Sequence, residues 1–495
     1  MRILMVYPRF PDTFWSFQYA LDFIDKKASS PPLGLVTVAA MLPQEWEKRL
    51  VDMNVSPLRD ADLQWADMVF LSAMAIQRKS VEKVIERCNR LAVPVVAGGP
   101  LFTEEHESFE GVSHFVLNEA ELTLEPFLQD LEQGRPQKVY RTDQFAEMSR
   151  SPVPQWELVD LDKYDSLSIQ FSRGCPFNCE FCSVTALLGH KVRTKTAEQI
   201  MAELDKMYSL GWRRNIFFVD DNFIGNRKLV KREILPALIV WREGKSGCRF
   251  ITEASINLSD DAELMEMMVQ AGFQSVFVGI ETPDEHSLEE CHKTQNRGRD
   301  LVESVKRLQR VGLQVMGGFI VGFDSDTESI FQRQIDFIQN SGIVTAMVGL
   351  LQAPYGTQLY QRLKEEGRLV GRMSGDNVDG ETNIIPSIDL RRLKEGYRYI
   401  LEKIYQPEPF YRRVRTFLQE YNNRDFHAVI EWPEIKALFR TIIRLGIFGR
   451  ERREYWKLLF WTLWHFPDKL PQAVTFSVYG YHFRTMMERH VVPAG

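Results

Sequence analysis

The chain alternates between two hydrophobic rhythms. Short apolar runs occur at Ile3 to Tyr7, Lys48 to Met53, Asp67 to Ala73, Val93 to Ala97 and Ser113 to Leu117, and between them lie stretches with apolar residues at helical spacing, such as Ser80 to Leu91. Five strands with intervening helices predict a doubly wound, flavodoxin-like (Rossmann-like) parallel sheet over residues 1–140, in an α/β fold. Ligands of such sheets lie beyond the carboxyl ends of the strands. Those ends carry Arg9, then Ser72 and Met74, then Gly98, Gly99 and Pro100, then Asn118 and Glu119. The glycine pair suits either a close approach of backbone to a ligand or a plain tight turn.

Residues 141–164 contain Ser151-Pro152-Val153-Pro154 and little periodicity, which reads as a linker packed over the surface. The alternation then resumes with apolar runs at Ser166 to Phe171, Arg214 to Asp220, Arg249 to Ser255, Ser275 to Glu281, Gln314 to Val321 and Thr345 to Gln352. Helical patterns such as Thr196 to Leu210 and Asp260 to Gly272 separate them. Six such units predict a partial (β/α)6 barrel of the TIM type over residues 165–385, with its chemistry at the carboxyl ends of the strands. From residue 386 to 495 the pattern is helical, rich in aromatic residues and arginine.

Composition narrows the class. A length of 495 residues with 44% hydrophobic and 26% charged residues suits about three globular domains. The net charge of -6 gives no sign of a nucleic-acid binder. The amino terminus MRILMVYPRF enters a strand pattern at once and lacks the features of a secretory leader, and no run of about 18 apolar residues predicts a membrane span. Cys88, Cys248 and Cys291 look unpaired, which fits a reducing, cytoplasmic setting.

Charge is not evenly spread. Residues 390–495 hold 19 Lys and Arg against 11 Asp and Glu, which leaves the rest of the chain at -14. The stretch Arg450 to Trp464 mixes basic residues with large apolar ones, a composition that fits a helix lying at an anionic membrane surface or a helical cap burying its aromatics against the barrel.

The chemistry concentrates in one loop. Three of the six cysteines, Cys175, Cys179 and Cys182, fall within eight positions at the spacing C-x3-C-x2-C, directly after the first strand of the second domain. Soft thiolates this close select zinc or an iron–sulfur cluster. Three ligands leave one position of the metal centre open, because a closed zinc site or a fully ligated 4Fe-4S cluster needs four.

The cysteine spacing, with aromatic Phe181 just before the third cysteine, resembles the signature of radical S-adenosylmethionine (SAM) enzymes. The resemblance implies a 4Fe-4S cluster whose open iron binds the amino and carboxylate groups of SAM, reduces its sulfonium and releases a 5′-deoxyadenosyl radical. Successive strand ends carry the family's weaker signals. Asp220, Asp221 and Asn222 stand where such enzymes contact the methionine part of SAM, although this cluster also suits a helix cap. Glu253 and Ser255 end the third strand and Glu281 the fourth, where a carboxylate can hold ribose hydroxyls or join a structural ion pair. Gly318-Phe319-Ile320-Val321-Gly322 is similar to the segment that packs beside the adenine, with Gly318, Ile320 and Gly322 as the contacts.

Pro31-Pro32-Leu33-Gly34-Leu35 opening a helix, followed by the first sheet and the cysteine loop, resembles the cobalamin-binding domain of class B radical SAM proteins. Leu33 and Gly34 join the strand-end residues above as the implied cobalamin contacts. The motif Asp-x-His-x-x-Gly, which supplies a histidine to cobalt in ordinary cobalamin domains, does not occur in residues 1–150, where the only histidines are His106 and His114. The lower face of the cofactor is therefore expected to be open or capped by another group.

The whole layout is similar to hopanoid C-2 methylases. That implies methyl transfer from cobalamin to an unactivated carbon of a hopanoid or isoprenoid lipid, with a flavodoxin or ferredoxin as external electron donor and a possible peripheral membrane contact. The alternatives are a radical ring-forming or carbon–carbon coupling enzyme without methyl transfer, and an iron–sulfur redox sensor.

Overall fold

The structure is a computed structural model that describes residues 1–376, 379–422 and 432–490. Strands β1 (Arg2–Tyr7), β2 (Glu47–Asp52), β3 (Met68–Ser72), β4 (Val95–Gly98), β5 (His114–Val116) and β6 (Val139–Tyr140) form a parallel sheet in the order β2-β1-β3-β4-β5-β6. The first five are the strands that the apolar runs predict. The sixth is a two-residue edge strand, too short to leave a pattern.

Helices cover both faces of this sheet. Leu4, Val6, Val69 and Val95 meet Val81, Val84 and Ile85 of the helix Arg78–Arg90, while Ile3, Met5, Phe70 and Val96 meet Leu35, Ala39 and Phe127 on the other side. Burial on two faces is why these strands read as continuous apolar runs rather than as an alternation.

The second sheet contains β7 (Ser166–Ile169), β10 (Asn215–Phe218), β11 (Arg249–Glu253), β12 (Phe273–Glu281), β13 (Gln314–Val321) and β14 (Ala346–Leu350), all parallel and in chain order. Each new strand adds to the same edge, which is the topology of a partial barrel. A short antiparallel ladder, β8 (Ser172–Arg173) with β9 (Arg193–Thr194), brackets the cysteine loop. The intervening helices start and stop where their caps lie: Asp261 accepts from the Leu264 N–H at the start of Ala262–Ala271, and Gly272 takes φ 99° at its end.

Residues 141–164 run over the surface, with half of them exposed, but are anchored inward at several points. Trp156 is fully buried, the Gln155 N–H donates to the Val36 carbonyl (2.9 Å), and Tyr164 donates to the Asp52 carboxylate (2.9 Å). Proline and polar residues signalled irregular backbone there, but depth depends on what packs above it.

The helices Leu390–Tyr405, Pro407–Glu420, Arg452–His465 and Leu470–His490 share one continuous core with the second sheet. Tyr405 donates to the Ala346 carbonyl (2.7 Å) at the start of β14, and the fully buried Arg413 donates to the carbonyls of Ile404 (2.8 Å) and Val344 (3.3 Å). Among the described residues no helix is long and apolar enough to cross a membrane.

Candidate active site

Cys175, Cys179 and Cys182 are half-buried, unpaired thiols at the carboxyl edge of the second sheet. Gly174 makes the turn into their loop at φ 91°, and a Cβ there would sit 2.6 Å from the Lys191 carbonyl oxygen. The Cys175 N–H donates to the Gly189 carbonyl (3.2 Å) and the Cys182 N–H to that of Cys179 (3.1 Å). Burial pushes the Cys175 thiol up and that of Cys182 to about 12, so the loop favours thiolate only when a cation such as iron offsets the desolvation.

The loop is braced from behind. Asp220, fully buried, accepts from the Phe171 N–H (3.1 Å), the Ser172 N–H and the Ser172 hydroxyl (2.5 Å), and burial raises its pKa to about 7. Glu180 pairs with Arg362 (2.6 Å), which in turn reaches Asp324 (3.0 Å).

Of the Asp-Asp-Asn cluster expected at SAM, two members are thus engaged within the protein. Asp220 holds the base of the cysteine loop, and the Asn222 side-chain oxygen accepts from the Ser255 N–H (3.2 Å) and hydroxyl (3.3 Å). Asp221 is the member left open. It is exposed, yet desolvation by the surrounding protein raises its pKa to about 6. Glu253, half-buried beside it, is pushed up to about 8 by desolvation and then by the charges of Asp221 and Asp220. Burial and mutual repulsion oppose the ionisation of both groups, and a cationic group placed beside them would favour their charged forms.

At the end of the next strand Glu281 takes φ 62° at a register shift in β12 and pairs with Lys293 (2.6 Å). Lys293 had no motif to announce it. Burial opposes its charge, but Glu281 and then Cys179 outweigh that and raise its pKa, and it lies 6.0 Å from the Phe181 ring centroid. Gln295, also unforeseen, points its Nε2 at Cys179 Sγ (3.7 Å) while its Oε1 is buried without a partner. Phe181 and Ile320 pack against one small apolar cluster with Phe323 and Leu351, Gly318 abuts the Phe277 ring, and the Gly322 N–H donates to Asp326 (2.8 Å).

The carboxyl edges of the two sheets face each other. Glu119, expected at cobalamin, accepts two hydrogen bonds from Arg193 (2.6 and 2.8 Å) and one from the Ala146 N–H (2.8 Å), and Glu121 pairs with Arg173 (2.8 Å). Both carboxylates therefore tie the first sheet to the cysteine hairpin. Arg372, beyond β14, reaches Glu105 (3.3 Å), and Gly375 lies against the Ile76 backbone.

The other expected cobalamin contacts line the first sheet's edge. Met74 is half exposed, Asn118 takes φ 62°, and Gly34 and Pro100 are exposed. Leu33 and Ser72 are partly buried, and the Arg9 N–H donates to the Ser80 hydroxyl (2.9 Å). For Gly98 and Gly99 the protein's own packing suffices: a Cβ would meet the Val116 carbonyl oxygen at 2.7 Å and the Ser72 hydroxyl at 2.5 Å.

The residues present fit the implied groups. Asn118 Oδ1 is buried without a partner at the first edge, and Gln295 Oε1 likewise beside Cys179. Among the described residues no three Cys, His, Asp or Glu side chains group as a single-ion site. A zinc ion on these thiolates would need all three sulfurs within about 2.3 Å of one point, whereas a cubane asks each sulfur to meet a different corner.

A partial parallel barrel that raises three cysteines toward the open edge of a doubly wound sheet defines a cobalamin-dependent radical SAM protein. Profiles for the B12 binding domain, the radical SAM superfamily and a domain of unknown function match residues 26–128, 169–338 and 357–492. The chain is 40% identical, over 98% of its length and 91% of the relative, to an uncharacterized methyltransferase of Synechocystis sp.. It is 34% identical, over 92% of its length and 88% of the relative, to the hopanoid C-2 methylase of Rhodopseudomonas palustris. The fold is similar to that of the cobalamin-dependent SAM radical enzyme OxsB, with a TM-score of 0.61 at 13% identity over 99% of this chain and 79% of that one. The chain belongs to the family of cobalamin-dependent radical SAM methyltransferases, and its cofactors are a 4Fe-4S cluster, SAM and cobalamin.

Proposed function

We propose that the chain methylates an unactivated carbon of a hopanoid or related isoprenoid lipid. Similarity to a hopanoid C-2 methylase along 92% of the chain carries this reading, since it includes the carboxyl-terminal helices as well as the cofactor domains. In this reading residues 1–140 hold cobalamin, 165–385 hold the cluster and SAM, and 386–495 form a helical third unit, with 141–164 joining the first two. Bound there, the cluster and SAM supply the radical and cobalamin supplies the methyl group.

The chain's own residues position these partners. Cys175, Cys179 and Cys182 offer the thiolates, Asp221 and Glu253 receive the ammonium group of SAM, and Glu281, held by Lys293, receives ribose hydroxyls. Phe181 and Ile320 give the adenine an apolar wall. Asn118, Ser72, Met74 and Leu33 line the cobalamin face, and the Glu119–Arg193 and Glu121–Arg173 pairs hold both edges in register, so that substrate lies between the cofactors and away from water. A flavodoxin or ferredoxin delivers the electron, and the reaction takes place on the cytoplasmic side, where the enzyme meets lipid at a membrane surface.

The test is anaerobic incubation of the reconstituted protein with a reductant, methyl-labelled SAM and a hopanoid. A labelled hopanoid formed together with 5′-deoxyadenosine is expected. Label in no lipid, with 5′-deoxyadenosine still formed, points instead to ring formation or coupling, and absence of SAM cleavage in a fully loaded protein points to a sensor.

A further inference from the structure

Seven of the eighteen large apolar side chains that the described residues expose fall between residues 439 and 464. Scattered exposed apolar residues are ordinary, but a cluster marks an interaction surface. Phe439, Ile443 and Ile447 recur at spacings of four, followed by Phe448, which is 78% exposed. Phe460 (64%), Leu463 (49%) and Trp464 (86%) stand on the helix Arg452–His465.

The two groups are neighbours. Trp456 donates from Nε1 to the Gly446 carbonyl (3.0 Å) and stacks on Phe460 with ring centroids 5.6 Å apart. Leu445, Tyr455, Leu458, Leu459 and Thr462 face inward, so the helices are already docked on the protein and the outward residues are surplus to that packing.

Basic residues surround this face. Residues 436–465 carry seven Lys and Arg against two Glu. Lys436 and Arg440 pair with Asp25, Arg450 with Glu488 and Lys457 with Glu454, which leaves Arg444, Arg452 and Arg453 as the excess positive charge. Arg453, Lys457, Phe460 and Trp464 follow one another at spacings of four, three and four along one helix face, and all four are exposed. Arg452 and Arg453 form no ion pair with any described residue, so their charge is available. Aromatic tips ringed by cations match the boundary between lipid headgroups and acyl chains. A second copy fits poorly, because pairing this face with itself would set the unpaired Arg452 and Arg453 of two copies against each other.

We propose that the face formed by Phe439, Ile443, Ile447, Phe448, Phe460, Leu463 and Trp464 docks the protein on an anionic phospholipid bilayer. This deepens the lipid-substrate reading by specifying how the enzyme would stand at its substrate's phase, but vesicle binding needs neither cofactor nor turnover, so either claim can fail alone.

The experiment is co-sedimentation of the full chain with vesicles of phosphatidylcholine, with and without phosphatidylglycerol, read together with tryptophan fluorescence. Binding is expected with anionic vesicles, weakened by salt and accompanied by a blue shift. The double variant Phe460→Ser, Trp464→Ser is expected to lose roughly 10-fold to 100-fold in partitioning while cleaving SAM as before in the absence of vesicles.

Arg452→Glu with Arg453→Glu provides a second measurement that leaves the apolar residues intact, and it should remove the preference for anionic lipid. Failure of the wild-type chain to bind either vesicle overturns the proposal. So does a wild-type dimer in light scattering that the serine variant turns into a monomer. Vesicle binding unchanged in both variants overturns it too.

Discussion

Lys293 Nζ lies 2.6 Å from a carboxylate oxygen of Glu281, and a Cβ built on Gly279 would come within 2.3 Å of that oxygen and 2.8 Å of the ammonium nitrogen. Two residues of β12 and one of the segment that follows are thus mutually constrained. Lys293→Met leaves the Glu281 charge nearly buried without its partner, and a loss of about 3 kcal/mol in unfolding free energy is expected. Adding Glu281→Gln should restore much of it, since neither charge then remains. Denaturant titration of the four proteins checks this, and additive losses in the double variant would show that the pair is not coupled.

Glu119 and Arg193 make the corresponding joint between the sheets. Arg193→Lys keeps the charge but cannot reproduce the two-pronged contact with Glu119 and the further bond to the Ala146 carbonyl (2.6 Å). Faster proteolysis within residues 141–164 and weaker retention of cobalamin are expected, although Arg193 is assigned no contact with the cofactor. Unchanged proteolysis and retention would mean that other contacts suffice to hold the edges together.

The six cysteines divide by environment. Cys88, Cys248 and Cys291 lie in hydrophobic cores, whereas Cys175, Cys179 and Cys182 are half-buried on the loop at the carboxyl edge of the second sheet. Replacement of any of the latter three by alanine is expected to abolish 5′-deoxyadenosine formation and to lower bound iron. Cys88→Ala and Cys248→Ala should retain both. A fully active variant at 175, 179 or 182 would remove that residue from the ligand set.

His482 provides a pH test outside the site. It is fully buried, bonded through Nε2 to the Phe14 carbonyl (3.1 Å) and packed against Phe17, and burial lowers its pKa to about 4. The unfolded chain, with an ordinary histidine pKa, binds the extra proton first as pH falls. The stability contributed by the neutral ring is therefore present above about pH 6.5 and is lost on acidification toward pH 4, by on the order of 1 kcal/mol at about pH 5.5. Thermal midpoints of the wild type and His482→Gln across this range should converge at low pH. Parallel curves would show that the histidine does not carry the dependence.

Both parallel sheets were legible because strands buried on two faces leave continuous apolar runs, and the metal-binding loop was legible because thiolate chemistry demands close spacing. Residue types alone did not tell which strand-end carboxylates stay open. Asp220 and Glu119 looked as available for a ligand as Asp221 and Glu253, yet the first binds two backbone N–H groups and the second an arginine 74 positions away. Lys293 and Gln295 had no motif, since their place beside Glu281 and Cys179 follows from how the segment after β12 folds back.

Local hydrophobic period and cysteine spacing by themselves determined the fold class, the order of the strands along the chain and the position of the cysteine loop. Only the tertiary structure decided that the two carboxyl edges meet, which acids are neutralised in joining them, and that seven of the apolar residues at 439–464 face outward while their neighbours are buried. The reason is physical: secondary structure and ligand spacing depend on neighbours in sequence, whereas burial and charge pairing depend on neighbours in space.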